Sequence, residues 1–186
     1  MANANHNIQF DGATIVTTLT NSSLLTDYVL CEFHSKRIIG LSIYKKNVSE
    51  RKRCIINQLL QLCHGNRCII IQLLHLDAIP DSLRNILSDR SIRFIGMDGS
   101  QDIARLDRDY GLKCWFAHEL LPPAEEFFGG ARLLPSFQKI AGFSIEELDQ
   151  VNSQSDWSAN ILINDQIKVA TMNAYICFKM GYMMFG

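Results

Sequence analysis

The sequence predicts an α/β fold, a mixed sheet covered by helices, and three observations carry that expectation. Arg37 to Tyr44 reads Arg-Ile-Ile-Gly-Leu-Ser-Ile-Tyr between Lys36 and Lys45-Lys46; adjacent β-branched residues in a short apolar run bounded by charge read as a buried central strand. Two further apolar runs, Ile55 to Cys63 and Arg67 to Leu73, flank His64-Gly65-Asn66, a hairpin turn. After these three antiparallel strands, helical and strand patterns alternate, the order of a mixed sheet with helices packed on it.

Taken in order, the chain first shows Ile8, Phe10, Ile15, Val16 and Leu19 around Asp11-Gly12, a peripheral hairpin. Thr20-Asn21-Ser22-Ser23 starts a short helix over 24–33, which feeds the central strand. In that strand Ile39, Leu41 and Ile43 face one layer, so Ser42 and Tyr44 emerge together on the other. Lys45, Lys46, Arg51, Lys52 and Arg53 make 45–53 the most basic stretch of the chain, a solvated loop or a phosphate-facing patch.

Pro80-Asp81 opens a helix whose Leu83, Ile86 and Leu87 share one side, and Ile92 to Met97 is a strand. Asp98-Gly99-Ser100 caps a helix running to Gly111, and Cys114-Trp115-Phe116 reads as a short final strand. Pro122-Pro123 and Gly129-Gly130 punctuate a loop before helices over 133–141 and 145–151. The longest helical pattern, about 163–184, follows Ser155-Asp156-Trp157-Ser158. Its apolar end, Met180 to Phe185, either packs on the core or forms a subunit contact.

A chain of 186 residues that is 47% hydrophobic suffices for one sizeable core, so a single domain over 1–186 is expected. With 18 basic and 19 acidic residues the net charge is −1, which excludes global attraction to phosphate and makes any nucleic-acid surface local. The six cysteines lack CxxC spacing and several sit in apolar runs, as buried thiols of a reducing compartment do. Neither a signal peptide nor a membrane-spanning stretch is visible, so a soluble cytoplasmic or nuclear protein without membrane contact is expected.

The order of motifs resembles a known family. Ile-Ile-Gly-Leu-Ser-Ile-Tyr, then Leu-Gln-Leu-Cys-His-Gly-Asn-Arg-Cys-Ile-Ile-Ile-Gln-Leu, then Phe-Ile-Gly-Met and an aspartate, and finally Ser-Asp-Trp-Ser before a helix, are similar to the plant Werner-like DEDDy 3'-5' exonucleases over about 36–184. Residues 66–73 and 155–158 look closest to the RISC-interacting clearing exoribonucleases. The resemblance implies a ribonuclease H-like fold with a mixed five- to six-stranded sheet and helices on both faces.

It also implies a chemistry. Such enzymes hydrolyse the terminal phosphodiester with two magnesium or manganese ions about 3.5–4 Å apart, held by four acidic side chains, with a tyrosine orienting the water. Hard cations need oxygen ligands, anionic ones for affinity. Carried over residue by residue, the first motif, Asp-x-Glu, falls on Ser42 and Tyr44. The second acid is Asp102, the only one retained, and the Tyr-x-x-x-Asp of the last helix falls on Val169 and Asn173. Three carboxylates and the tyrosine are gone, so no bound metal cofactor is expected.

The resemblance thus implies a degenerate exonuclease that is catalytically inactive, binding single-stranded RNA or DNA with Lys45, Lys46, Arg51, Lys52 and Arg53, or assembling as a homo-oligomer, a hexamer in the subfamily, or with active relatives. The alternative is a residually active metal-dependent 3'-5' exonuclease. Rescue by Asp98, Asp156 or Asp165 is weighed against a helix cap at Asp98 and a place in a helix's first turn for Asp165. His64 and His75 lack the spacing of a metal pair, and Ser42 has no His/Asp pattern for nucleophilic catalysis.

Overall fold

The computed structural model describes residues 3–10, 12–49, 54–96, 99–115, 117–119, 151 and 155–186, with backbone alone at 45–49, 54–57, 99–102 and 117–119. The helices expected over 133–141 and 145–151, apart from Val151, lie outside the described residues.

Among the described residues seven strands form one sheet, in the order β1 (Ala4–Phe10), β2 (Ala13–Thr20), β5 (Arg67–Gln72), β4 (Cys54–His64), β3 (Ile38–Ser49), β6 (Arg93–Gly96) and β7 (Ala117–Glu119). β1 (Ala4–Phe10) and β2 (Ala13–Thr20) are the expected hairpin. Gly12 has a φ of 72°, which a tight two-residue turn demands and glycine adopts without a Cβ penalty. The hairpin docks on the sheet through β2, parallel to β5, and so raises the strand number from the expected five to six to seven. β3 (Ile38–Ser49), β4 (Cys54–His64) and β5 (Arg67–Gln72) form the expected antiparallel core, and β6 (Arg93–Gly96) and β7 (Ala117–Glu119) add parallel strands beyond β3.

Two boundaries depart from the sequence reading. β3 runs on to Ser49, so Lys45 and Lys46 belong to a strand rather than a loop; their pairing with Asn57 and Ile56 is a long-range constraint that local composition does not reveal. Among the described residues the last strand is 117–119, and Cys114 and Trp115 of the expected strand lie before it, because its register follows β6, with Phe94 opposite Ala117.

Helices cover both faces. α1 (Ser23–Leu30), α2 (Asp81–Ser88) and α3 (Gly99–Tyr110) lie on the face bearing Ile39, Leu41, Leu60, Leu62, Ile69, Ile71 and Phe94. α4 (Asn164–Phe185) lies on the face bearing Ile38, Leu59, Cys63, Cys68, Ile70 and Ile95. Both layers follow from the two-residue alternation of the strands.

α4 sits unusually close to β3 because Gly40 has no side chain. A Cβ there would collide with the Ala174 carbonyl oxygen and the Phe178 amide nitrogen. At the helix end Met184 and Phe185 pack on the core, the first of the two roles foreseen for it, while Tyr182 and Met183 stand exposed. Cys63, Cys68 and Cys177 are buried thiols outside any disulfide, as expected, and burial pushes the Cys63 thiol well above its ordinary pKa; Cys31, by contrast, is exposed. Among the described residues no helix is long and apolar enough to cross a membrane.

Candidate functional site

The strand alternation of β3 decides what faces α4. Gly40, Ser42 and Tyr44 share that face, opposite Cys63, Gln61 and Leu59 of β4. On α4, Val169 and Asn173 are four residues apart and so lie on one side of the helix. The structure therefore brings Ser42, Tyr44, Val169 and Asn173 to a single interface, as the sequence reading requires.

The described side chains that meet at the interface are neutral. The Asn173 side-chain amide donates to the Tyr44 hydroxyl at 2.6 Å. The Tyr44 ring stacks on Trp157, with centroids 3.7 Å apart and planes inclined by 12°. Val169 is 2% exposed and packs with Leu59, Ile70, Trp157 and Ala170, with Tyr44 at the margin of this cluster. Burial pushes the Tyr44 hydroxyl far above its ordinary pKa, with the Asn173 hydrogen bond acting in the opposite direction, so it remains protonated at physiological pH.

Beneath these residues the polar groups are also uncharged. Thr17 and Thr171 hydroxyls are 3.0 Å apart, and the Thr171 hydroxyl donates to the Ile167 carbonyl at 2.8 Å. Gln61, across the ladder from Ser42, is fully buried with neither side-chain polar atom hydrogen-bonded. Each such orphaned group costs about 1–3 kcal/mol, a cost that the neighbouring packing offsets.

The turn that carries Trp157 is fastened from several sides. Gln72 donates its amide to the carbonyls of Ala159 and Asn160 at 3.1 and 3.2 Å, and His75 Nε2 donates to the Ser158 carbonyl at 2.7 Å. Gln166 accepts from the Ile163 amide at 2.9 Å and donates to the Asp156 carbonyl at 3.0 Å. The Asp156 carboxylate accepts from the Ser158 amide at 3.1 Å and from the Ser158 hydroxyl. The turn thus holds the indole against Tyr44 by backbone and side-chain bonds that are independent of the stack itself. This fastening was not read from the sequence, because Gln72, His75 and the turn are more than eighty residues apart.

The remaining candidates fall elsewhere. Asp102 is in the first turn of α3, which follows β6 and starts at the end of the sheet towards which Ser42 and Tyr44 lie; the described structure there is its backbone. Asp165 is exposed in the first turn of α4, the local role weighed for it, and Asp156 serves the turn that carries Trp157; Asp98 is outside the described residues. Lys45 and Lys46 lie on β3, whereas Arg51, Lys52 and Arg53 are outside the described residues. The His64 Nδ1 donates to the Ile38 carbonyl at 2.8 Å, a structural role. Among the described residues no group of three His, Cys, Asp or Glu side chains is placed to hold a metal ion.

Comparison with known proteins agrees with this architecture. No curated protein matches the sequence. Among solved structures, the exonuclease domain of Nibbler from Aedes aegypti superposes with a TM-score of 0.72 at 13% identity, covering 97% of this chain and 94% of that one. RNase D of Trypanosoma brucei in complex with RNA U12 gives a TM-score of 0.69 at 17% identity, covering 89% of this chain and 61% of that one. NrnC of Brucella melitensis gives 0.61 at 17% identity, covering 80% and 72%. At such identities these likenesses establish the fold.

The profile of a family described as 3'-5' exonuclease matches residues 47–181. The match begins after Ser42 and Tyr44 and includes Asp102, Val169 and Asn173. With the order of the strands, the helices on both faces and most of the chain matched, this protein belongs to the 3'-5' exonuclease domain family.

Proposed function

We propose that this protein is a catalytically silent member of its family, acting as a nucleic-acid-binding or assembly module. The observation that carries the reading is the Tyr44–Asn173 hydrogen bond beneath the Tyr44–Trp157 stack. Two hard divalent ions in proximity need several anionic oxygens. At the positions that match the family's motifs the chain offers a serine hydroxyl, a protonated phenol and an amide already engaged with that phenol, together with a valine. This donor set does not fit the ions.

The motif resemblance to the plant clearing exoribonucleases supports a homo-oligomer, a hexamer or a mixed assembly with active relatives, and the exposed Tyr182 and Met183 are compatible with such contacts. Single-stranded RNA or DNA is the proposed ligand, and a single domain in the cytoplasm or nucleus the proposed setting, in keeping with the buried thiols outside any disulfide. The competing reading, a residually active metal-dependent exonuclease, rests on Asp102 alone.

The test is incubation of 5'-labelled single-stranded RNA and DNA with purified protein in magnesium or manganese. Strands that stay full length support the proposal. Shortening from the 3' end at ordinary turnover, abolished by Asp102→Ala, contradicts it.

A further inference from the structure

At the opposite end of β3 the surface is charged and open. Arg37 precedes β3 and Arg93 begins β6; the Arg93 amide donates to the Arg37 carbonyl at 2.8 Å, which sets the two arginines side by side at the sheet rim. With Ile38, Ser91 and Phe185 they line a cavity of about 380 Å³. The Arg93 guanidinium lies 5.0 Å from the centre of the Phe185 ring, and Arg90, three residues earlier, lies 5.0 Å from the centre of Trp115. Trp115 is 56% exposed.

Two features distinguish this rim from an ordinary solvated surface. Among the described residues no carboxylate pairs with Arg37, Arg90 or Arg93. The one acid of the intervening turn, Asp89, is turned onto the Ser91 amide and hydroxyl at 2.8 and 2.7 Å. In a chain of net charge −1, three unpaired guanidinium groups beside a cavity and an exposed indole are a local concentration of positive charge and aromatic surface.

We infer that the rim formed by Arg37, Arg90, Arg93 and Trp115 is a binding surface for single-stranded nucleic acid, separate from the degenerate site. Guanidinium forks match phosphate oxygens, and arginine planes and an exposed indole offer stacking faces for unpaired bases. The seven residue steps from Arg37 to Tyr44 place it about 23 Å from that interface at strand rise. The inference rests on the single-strand ligand proposed above and moves its location away from the Lys45–Arg53 stretch.

The test is fluorescence anisotropy with labelled twelve-residue oligouridylate and oligothymidylate at several salt concentrations. The expected result for Arg37→Gln/Arg93→Gln is at least about tenfold weaker binding at 100 mM NaCl and a salt slope reduced by about two. Trp115→Ala is expected to weaken binding about tenfold with the slope unchanged, and Lys45→Gln/Lys46→Gln to bind as the unmodified protein does. This pattern on either strand supports the inference, and comparison of the two strands reports whether the 2'-hydroxyl contributes. Unchanged thermal midpoints establish that the exposed substitutions leave the fold intact.

If the arginine pair is dispensable and the lysine pair is required, the inference is overturned while single-strand binding stands. If neither oligonucleotide binds the unmodified protein at 50 mM NaCl, both binding readings fail, and the degradation assay separately decides whether the protein is silent.

Discussion

The two ends of β3 differ in what became of their charge. At Arg37 the strand starts among guanidinium groups that face solvent, where charge costs little. At Ser42 and Tyr44 the same strand runs beneath α4, where the family motif calls for carboxylates and this chain has none. A cluster of acids beneath a helix is tolerable when cations neutralise it; without cations each buried charge costs several kcal/mol. With a serine, a phenol and an amide at the acid positions and a valine at the motif's tyrosine, α4 and the Trp157 turn pack against the sheet as an ordinary core. The fold depends on that packing.

The largest expected effect tests the packing itself. Gly40→Leu places a side chain where Ala174 and Phe178 backbone atoms lie, and should cost more than about 3 kcal/mol or prevent folding, as read by urea unfolding. A tolerated leucine would show that α4 does not need its close approach to β3.

Next comes the aromatic seal. Trp157→Ala removes a side chain that is 5% exposed and should cost about 3–4 kcal/mol. Tyr44→Phe, which removes only the hydroxyl that accepts from Asn173, should cost about 1 kcal/mol. A double-mutant cycle between Tyr44→Ala and Trp157→Ala should give a coupling of about 0.5–1.5 kcal/mol beyond burial, the range for stacked rings. Strict additivity would mean that the stack contributes by area alone.

Much of this was legible in sequence because local rules dictate it. Asp11-Gly12 and His64-Gly65-Asn66 mark hairpins by their turn chemistry, and the alternation around Leu41 assigns Ser42 and Tyr44 to the α4 face. The helices following Pro80, Asp98 and Ile163 are marked by their starts and apolar spacing. Other features were hidden because they depend on residues far apart. The extension of β3 through Lys45 and Lys46 needs partners in β4, and the position of β7 needs the register of β6. The Tyr44–Trp157 stack joins residues from a central strand and a late turn, and the arginine rim gathers Arg37, Arg90, Arg93 and Trp115 from three segments. Neither spacing nor composition foretells such meetings.

The smallest expected effect concerns pH at the surface. Asp77 accepts from the Ser23 and Ala78 amides at 2.7 and 2.8 Å, and hydrogen bonds from Ser23 hold its carboxyl below the usual value of 3.8; Ser91 does the same for Asp89. The folded state therefore releases these protons more readily than the unfolded one. Their contribution is fully present above the ordinary carboxylate range and is lost as pH falls through about 4 into the folded-state titration. Asp77→Asn should leave a smaller drop in the urea midpoint between pH 7 and pH 3.5. An unchanged drop would show that the Ser23 contact adds nothing measurable.

The most direct measurement of the central claim is manganese binding followed by electron paramagnetic resonance, in which the sharp spectrum of the hydrated ion vanishes on coordination. With protein in excess over manganese at micromolar concentration, the account expects the hydrated-ion spectrum at full intensity, because Ser42, Tyr44 and Asn173 provide no anionic oxygen. Loss of most of the hydrated-ion signal, restored by Asp102→Ala, would contradict it.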